Sequence, residues 1–315
     1  MKIKTSHWLI SIVFAIAVYL VILLFSDLPT IIENFTNIKT EFVLFGFTVA
    51  YISLLITGFR WYLMIRGLGK SLSFKSTFLV YLCGNAFAIS PGRLGEVLRS
   101  FYLKRLHGIP ASETAPTIIV ERFFDVLAIL VIALTCGLII GTQPEIIFFG
   151  FGIIGVFLGL MYKKNYLKKI LEKTQNLPFG KKISFALLDS LDTMYVLLKP
   201  KIFIKLFFLS VISWIVGSFV VYFSLLAFGI NLDVFNSTFI HVVSTIVGSA
   251  TFLPGGIGAT EGGLLGLFHL QGISYNDAIG PMLLIRIIIL WSITIFGLII
   301  NGIAESTILK KDKTS

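Results

Sequence analysis

Long apolar stretches alternate with short polar ones along the chain, and their lengths predict membrane-spanning helices. Residues 8–25 form an 18-residue run without a charge. At about 1.5 Å per residue such a run crosses a hydrocarbon core of about 30 Å. Further runs of this kind occupy residues 42–59, 117–141, 146–162, 202–228 and 280–301. Two shorter ones, 76–90 and 237–253, each run into a Pro-Gly pair, at Pro91-Gly92 and Pro254-Gly255. The pattern predicts an all-α polytopic membrane protein with six spans and two Pro-Gly hairpins, either re-entrant or short double spans. Lys2 and Lys4 ahead of the first run resemble the start of a signal peptide. The run is too long for one, however, and Ser26-Asp27-Leu28-Pro29 offers no small-residue cleavage site, so an uncleaved first helix is expected.

Composition agrees with this reading. Apolar residues make up 56% of the 315 and charged ones only 13%, where a soluble domain carries about 25%. Cys83 and Cys136, the only cysteines, sit in apolar runs, which argues against a secreted disulfide scaffold. The net charge of +10 in such a chain reports topology and anionic-lipid contact rather than nucleic-acid binding. Arg60, Arg66, Lys70 and Lys75 follow the second run, many lysines fill residues 163–199, and Lys310, Lys311 and Lys313 lie in the tail. Asp27, Glu33 and Glu41 dominate the loop after the first run. The positive-inside rule then places both termini in the cytoplasm, with the chain in the cell (plasma) membrane. Within the basic cytoplasmic loop 163–199, Ile183, Leu187, Leu191 and Met194 recur at helical spacing, as in an amphipathic helix lying on anionic lipid.

The chain also matches itself. Residues 68–78 align with 228–239 with one insertion, Pro91-Gly92-Arg93-Leu94-Gly95 with Pro254-Gly255-Gly256-Ile257-Gly258, 106–109 with 270–273, and 120–122 with 284–286. The offsets are 161, 163, 164 and 164 residues. Three expected crossings separate residue 42 from residue 202, so repeat 1 (42–141) and repeat 2 (202–301) are expected in opposite orientations within one transmembrane domain. Charge points the same way, because the first hairpin carries Arg93, Arg99, Lys104 and Arg105 while residues 227–280 hold no Lys or Arg. Inverted repeats with Gly/Pro-interrupted helices in matching positions are a transporter pattern, and the interruptions mark the binding site.

Chemistry-bearing residues cluster at those interruptions. Pro91-Gly92-Arg93-Leu94-Gly95-Glu96 reads as a helix start after a break, where N–H groups and the helix dipole favour an anion. Arg93, Glu96 and Arg99 would then share one face, as a phosphate clamp or as a snorkelling end with Glu96 as internal partner. Glu121, Arg122 and Asp125 open an apolar span, as a functional group or as an ion pair joining two helices. Arg286 has no local partner in its span and is expected to pair with Glu261, or else with Glu121 or Asp125. Gly258, Gly262 and Gly266 are spaced for close helix approach. The backbone of the two hairpins is assigned to Pro91, Gly92, Gly95, Pro254, Gly255, Gly256 and Gly258. No G-x-x-x-x-G-K-[ST], H-E-x-x-H or C-x-x-C occurs, and His241 and His269 lack further ligands, so no cofactor or metal is expected.

Taken together, the Pro91–Arg99 hairpin, Glu121-Arg122-x-x-Asp125 and the Pro254–Glu261 segment resemble the lysylphosphatidylglycerol synthase transmembrane-region family over about residues 8–305. Its members are flippase-like integral membrane proteins. The resemblance implies movement of lipids or lipid-linked head groups between leaflets. The best-known members carry a cytosolic aminoacyl-transferase domain; this sequence ends at Ser315, and no synthase is expected.

The expected function is therefore translocation, without ATP hydrolysis, of an anionic phospholipid or polyprenyl-phosphate-linked head group. Arg93, Arg99 and Arg286 would bind phosphate, with Glu96, Glu121, Arg122, Asp125 and Glu261 pairing around it. The partners would be membrane lipids, and an oligomer is compatible with this reading. The alternatives are an ion-coupled transporter of a small soluble anion and a membrane-embedded partner or enzyme of envelope synthesis. An enzyme ranks last, since the sequence offers no nucleophile–base pair.

Overall fold

A computed structural model describes residues 5–90, 95–141 and 195–312, with isolated positions between 152 and 193. Every regular element among the described residues is helical. In chain order these are α1 (Thr5–Leu24), α2 (Leu28–Thr36), α3 (Thr40–Gly67), α4 (Phe74–Asn85), α5 (Leu98–His107), α6 (Ala111–Thr114) and α7 (Pro116–Ile139). Then come α8 (Pro200–Ala227), α9 (Val234–Ala250), α10 (Ala259–Leu270), α11 (Tyr275–Arg286), a π-helical turn (Ile287–Ser292) and α12 (Ile293–Asp312).

Among the described residues, four stretches are long and apolar enough to cross a membrane: Thr40–Gly67, Ala111–Ile139, Pro200–Ala227 and Tyr275–Ser306. Val13–Leu24 of α1 and Leu28–Thr36 form a further apolar pair, bent by 101°. Asp27 is extended there and Pro29 stands in the first turn of α2, so a new helix starts instead of the old one continuing. The expected span 146–162 lies outside the described residues, and the amphipathic helix expected in 163–199 lies largely outside them.

Helix α3 runs eight residues beyond the expected end at Phe59, to Gly67. A charge-free window had to stop at Arg60, yet the apolar positions continue through Trp61, Met64 and Ile65, all fully buried. The helix ends where Gly69 turns left-handed (φ 78°) and the Lys70 N–H reaches back to the Ile65 carbonyl at 3.3 Å. Helix α8 ends in the same way, with Gly229 at φ 74° and the Ile230 N–H on the Leu225 carbonyl at 2.9 Å. This 6→1 bond is the Schellman stop, which a glycine makes without steric cost. The first pair of matching sequence segments thus shares a backbone conformation. Gly108 and Gly272, after α5 and α10, match as well, at φ 68° and 79°.

Helix α9 opens on Asp233, whose carboxylate accepts the N–H groups of Phe235 (2.8 Å) and Asn236 (3.0 Å). Slight burial pushes the Asp233 carboxyl up, but those bonds and one from the Asn236 side chain outweigh it and hold the carboxyl below its ordinary value. An acid depressed on folding contributes stability above its unfolded pKa and loses it as pH falls through the folded one. Asp233→Ala is accordingly expected to cost about 1 kcal/mol at neutral pH. In thermal unfolding of detergent-solubilised protein, the gap from wild type should close as pH falls below the ordinary aspartate range and the wild-type acid protonates.

The chain divides into two compact units. One comprises Met1–Ser53, Leu82–Glu96 and Ile215–Ser315; the other comprises Leu54–Tyr81 and Val97–Trp214. The core of the first unit gathers Val221, Leu225, Ile240, Leu264, Phe268, Met282 and Ile285. A second cluster joins Ala50, Val220, Leu284 and Ile288. The second unit buries Trp61, Met64, Leu103, Phe124 and Leu206.

Close helix approach in the first unit is made by glycines other than the expected Gly262 and Gly266, which face open space. Gly263 lies on Ser244 and Gly248 on Thr260, bringing α9 and α10 together. Gly297 of α12 sits on the backbone at the end of α4, where an added Cβ would lie 2.5 Å from Ala86 N and 2.9 Å from the Leu82 carbonyl. Backbone cannot yield as a flexible side chain does. Gly297→Ala should therefore destabilise by at least about 1–3 kcal/mol, whereas Gly302→Ala in the same helix, with nothing within 4 Å, should be neutral or stabilising. Melting temperatures of the two variants check this.

Candidate functional site

Among the described residues, each unit buries a cluster of paired charges. In the second unit, Arg60 on α3 lies between two carboxylates of α7, with Nη1 2.6 Å from Asp125 Oδ1 and Nη2 3.2 Å from Glu121 Oε1. The same Nη1 donates to the Ser210 hydroxyl on α8 at 2.6 Å. Arg99, on α5, donates to Glu121 Oε2 at 2.9 Å. Its guanidinium lies 5.3 Å from the Trp61 ring centre and 4.9 Å from that of Tyr81, within cation–π range. Arg122 spans the two carboxylates from the outer side, 3.4 Å from Glu121 and 3.2 Å from Asp125. The Trp214 indole donates to Asp125 Oδ1 at 3.1 Å. Arg60, Arg99 and Glu121 are sealed from solvent, while the Arg122 side chain is 31% exposed.

Helical geometry explains the assembly. Glu121 and Asp125 stand i, i+4 on α7 and so project from one face, with Arg122 reaching Asp125 at i, i+3. One cation on α3 and another on α5 can then meet the same pair of acids.

In the first unit the cluster centres on Glu261, fully buried in the first turn of α10. Its Oε1 accepts Arg286 Nε at 2.7 Å and the Tyr19 hydroxyl at 2.9 Å, and its Oε2 accepts the Gly258 N–H at 2.7 Å. The acid thus caps its own helix, where the dipole favours negative charge. Arg286 Nη2 also donates to the Gly255 carbonyl at 2.8 Å. The Trp291 indole, from the π-helical turn just after Arg286, donates to the Tyr19 oxygen at 3.3 Å. Gly255, Gly256 and Gly258 take φ of 60°, 64° and 90°, values that L side chains adopt only with strain. The non-helical turn between α9 and α10 hence aims one carbonyl and one N–H at the ion pair.

The sequence-selected residues divide accordingly. Glu121, Arg122, Asp125 and Arg99 come together, and Glu261 meets Arg286, its first expected partner, rather than Glu121 or Asp125. Pro91, Gly92 and Arg93 lie outside the described residues. Gly95 opens a short turn in which its N–H donates to Ser90 Oγ at 2.7 Å, and a Cβ there would meet Phe87 at 2.6 Å. Glu96 is buried in that turn. That helical turn, residues 95–97, leads directly into α5 at Leu98. Pro254, Gly255 and Gly256 form a 3₁₀ turn.

Sequence reasoning missed Arg60, Tyr19, Ser210, Trp214 and Trp291. Arg60 was legible in the apolar positions beyond it. Tyr19 was not, because its partner is 242 residues away.

Long apolar helices, a Gly-broken hairpin and ionised pairs buried beside them define a polytopic α-helical membrane protein. The chain matches the family described as lysylphosphatidylglycerol synthase TM region over residues 8–297 and belongs to that family. It is 26% identical over 336 aligned positions to the UPF0104 membrane protein MJ1595 of Methanocaldococcus jannaschii, covering 99% of each chain. The UPF0104 membrane protein MJ1078 of the same organism is 27% identical, over 72% of this chain and 97% of its own. A UPF0104 membrane protein of Methanothermobacter thermautotrophicus is 27% identical over 79% of each chain.

Proposed function

We propose that the protein is a flippase-like translocator that moves an anionic phospholipid, or a lipid-linked head group, between leaflets of the plasma membrane without hydrolysing ATP. The observation that carries this reading is the Glu261–Arg286 pair, buried beside a Gly-broken helix. An ionised pair is expensive at membrane depth and is retained there for a function. Irregular backbone at that depth survives only where protein or a water-filled cavity covers it. Arg286 binds the head-group phosphate, since its five N–H groups exceed the two hydrogen bonds it makes here. The cluster around Glu121 supplies the corresponding charge in the other repeat, with Arg122 as its outward member. In this reading the two repeats are inverted and both termini are cytoplasmic.

Leaflet exchange in proteoliposomes tests the proposal, using fluorescent lipids of several head groups and an impermeant quencher. Exchange of an anionic lipid above that of empty liposomes is expected. If only water-soluble anions cross, the protein is instead a transporter of small anions.

A further inference from the structure

We propose that the phosphate ligand displaces Glu261 from Arg286 and that Glu261 takes up one proton as it is displaced, so that translocation is coupled to protons. The inference rests on the reading of Arg286 as the phosphate-binding residue and adds an energy source to it.

Charge balance drives the argument. Every hydrogen bond to the Glu261 carboxylate is a donation to it, from Arg286, Tyr19 and the Gly258 N–H. As they stand, one positive and one negative charge cancel in a site where Glu261 is fully buried and the Arg286 side chain is 7% exposed. A phosphate diester brings a second negative charge. If it took Arg286 and left Glu261 ionised, the buried site would hold an uncompensated anion, which costs several kcal/mol. One proton on Glu261 restores neutrality.

No other nearby group can absorb the change as readily. Among the described residues, Tyr19 on α1 and Arg286 on α11 are the titratable or charged groups that face Glu261; the Tyr19 hydroxyl already donates a hydrogen bond to the acid, and Arg286 is the cation that the phosphate takes. Helix α9, the other element against α10, meets it through Ser244 and Gly248, while its His241 is bonded to Ser218 of α8. His269, on α10 itself, is exposed beyond the apolar Phe268. A proton on Glu261 would also release the N-terminus of α10, so that two of the phosphate's attractions become available in one event: the Arg286 fork and the first-turn N–H groups.

The same chemistry could come from a lipid head group or from a free diester, so two probes are used, both monoanions across the range tested. These are dihexanoyl phosphatidylglycerol and water-soluble dimethyl phosphate, titrated calorimetrically into the full-length protein in detergent. Repeating each titration in buffers of different ionisation enthalpy counts the protons bound. Uptake of about one proton per diester is expected, with affinity falling about tenfold per pH unit as pH rises. Glu261→Gln should take up none and bind with no pH dependence, more tightly than wild type at alkaline pH. Binding of the lipid probe alone assigns the site to head groups, whereas equal binding of both assigns it to the diester itself; proton uptake in either case supports the coupling. Wild-type binding with no proton uptake overturns the coupling and leaves the phosphate site standing. Failure of the folded wild type to bind either probe removes both. The wild-type proton count needs no variant, so the proposal remains testable should Glu261→Gln fold poorly.

Discussion

Glu121→Ala is expected to destabilise the protein more than any other single change, by about 3–5 kcal/mol. Glu121 alone accepts from three arginines: Arg60 at 3.2 Å, Arg99 at 2.9 Å and Arg122 at 3.4 Å. Removing it leaves Asp125 to compensate Arg60 and takes the carboxylate from Arg99, whose side chain is wholly buried. Cation–π contact with Trp61 and Tyr81 offsets little of that, since such pairs are worth about 2 kcal/mol even when desolvated. The melting temperature in detergent should fall by roughly 10 °C, or the protein should fail to accumulate in membranes. Glu113 provides the control. It pairs with Lys70 where both side chains are substantially exposed, and such pairs are worth at most about 1 kcal/mol. Glu113→Gln should therefore melt within a few degrees of wild type. Equal effects of the two substitutions would mean that the buried cluster does not hold α3, α5 and α7 together.

Arg286→Gln is expected to abolish leaflet exchange, the largest functional effect of any substitution. That variant also strands Glu261, so a loss of exchange could reflect a damaged fold. The double variant Glu261→Gln/Arg286→Gln separates the two. Two amides of similar shape can still hydrogen-bond with each other, with Tyr19 and with the turn, and replacing both members of a buried pair is often near neutral in stability. The double variant should thus regain most of the melting temperature lost by Arg286→Gln, yet exchange no lipid. Recovery of exchange along with stability would mean that the pair only holds α10 to α11, and Arg286 would no longer count as a binding residue.

The two clusters differ in polarity. Helix α5 presents a cation, Arg99, to the acid Glu121 of α7, whereas α10 presents the acid Glu261 to the cation Arg286 of α11. An anionic ligand would compete with the acid in either cluster; among the described residues, Glu261 pairs with one cation, whereas Glu121 and Asp125 each pair with more than one.

Sequence by itself determined the class of protein, because spanning a bilayer demands long apolar runs and these are visible without a fold. The break at Pro254-Gly255-Gly256 and the choice of Glu121, Asp125, Glu261 and Arg286 as candidates followed from local rules on glycine, proline and charge at membrane depth. Partners were another matter. Glu121 stands 61 residues from Arg60 and 22 from Arg99, and no periodicity within one helix relates side chains on three. Arg60 follows a charge-free window and reads as a loop charge, whereas α3 continues around it; Tyr19 reads as one more residue of an apolar run, whereas its hydroxyl meets Glu261, 242 residues away. Helix periodicity is a property of consecutive residues, whereas which charge neutralises which depends on how helices pack, and only the tertiary structure decides that.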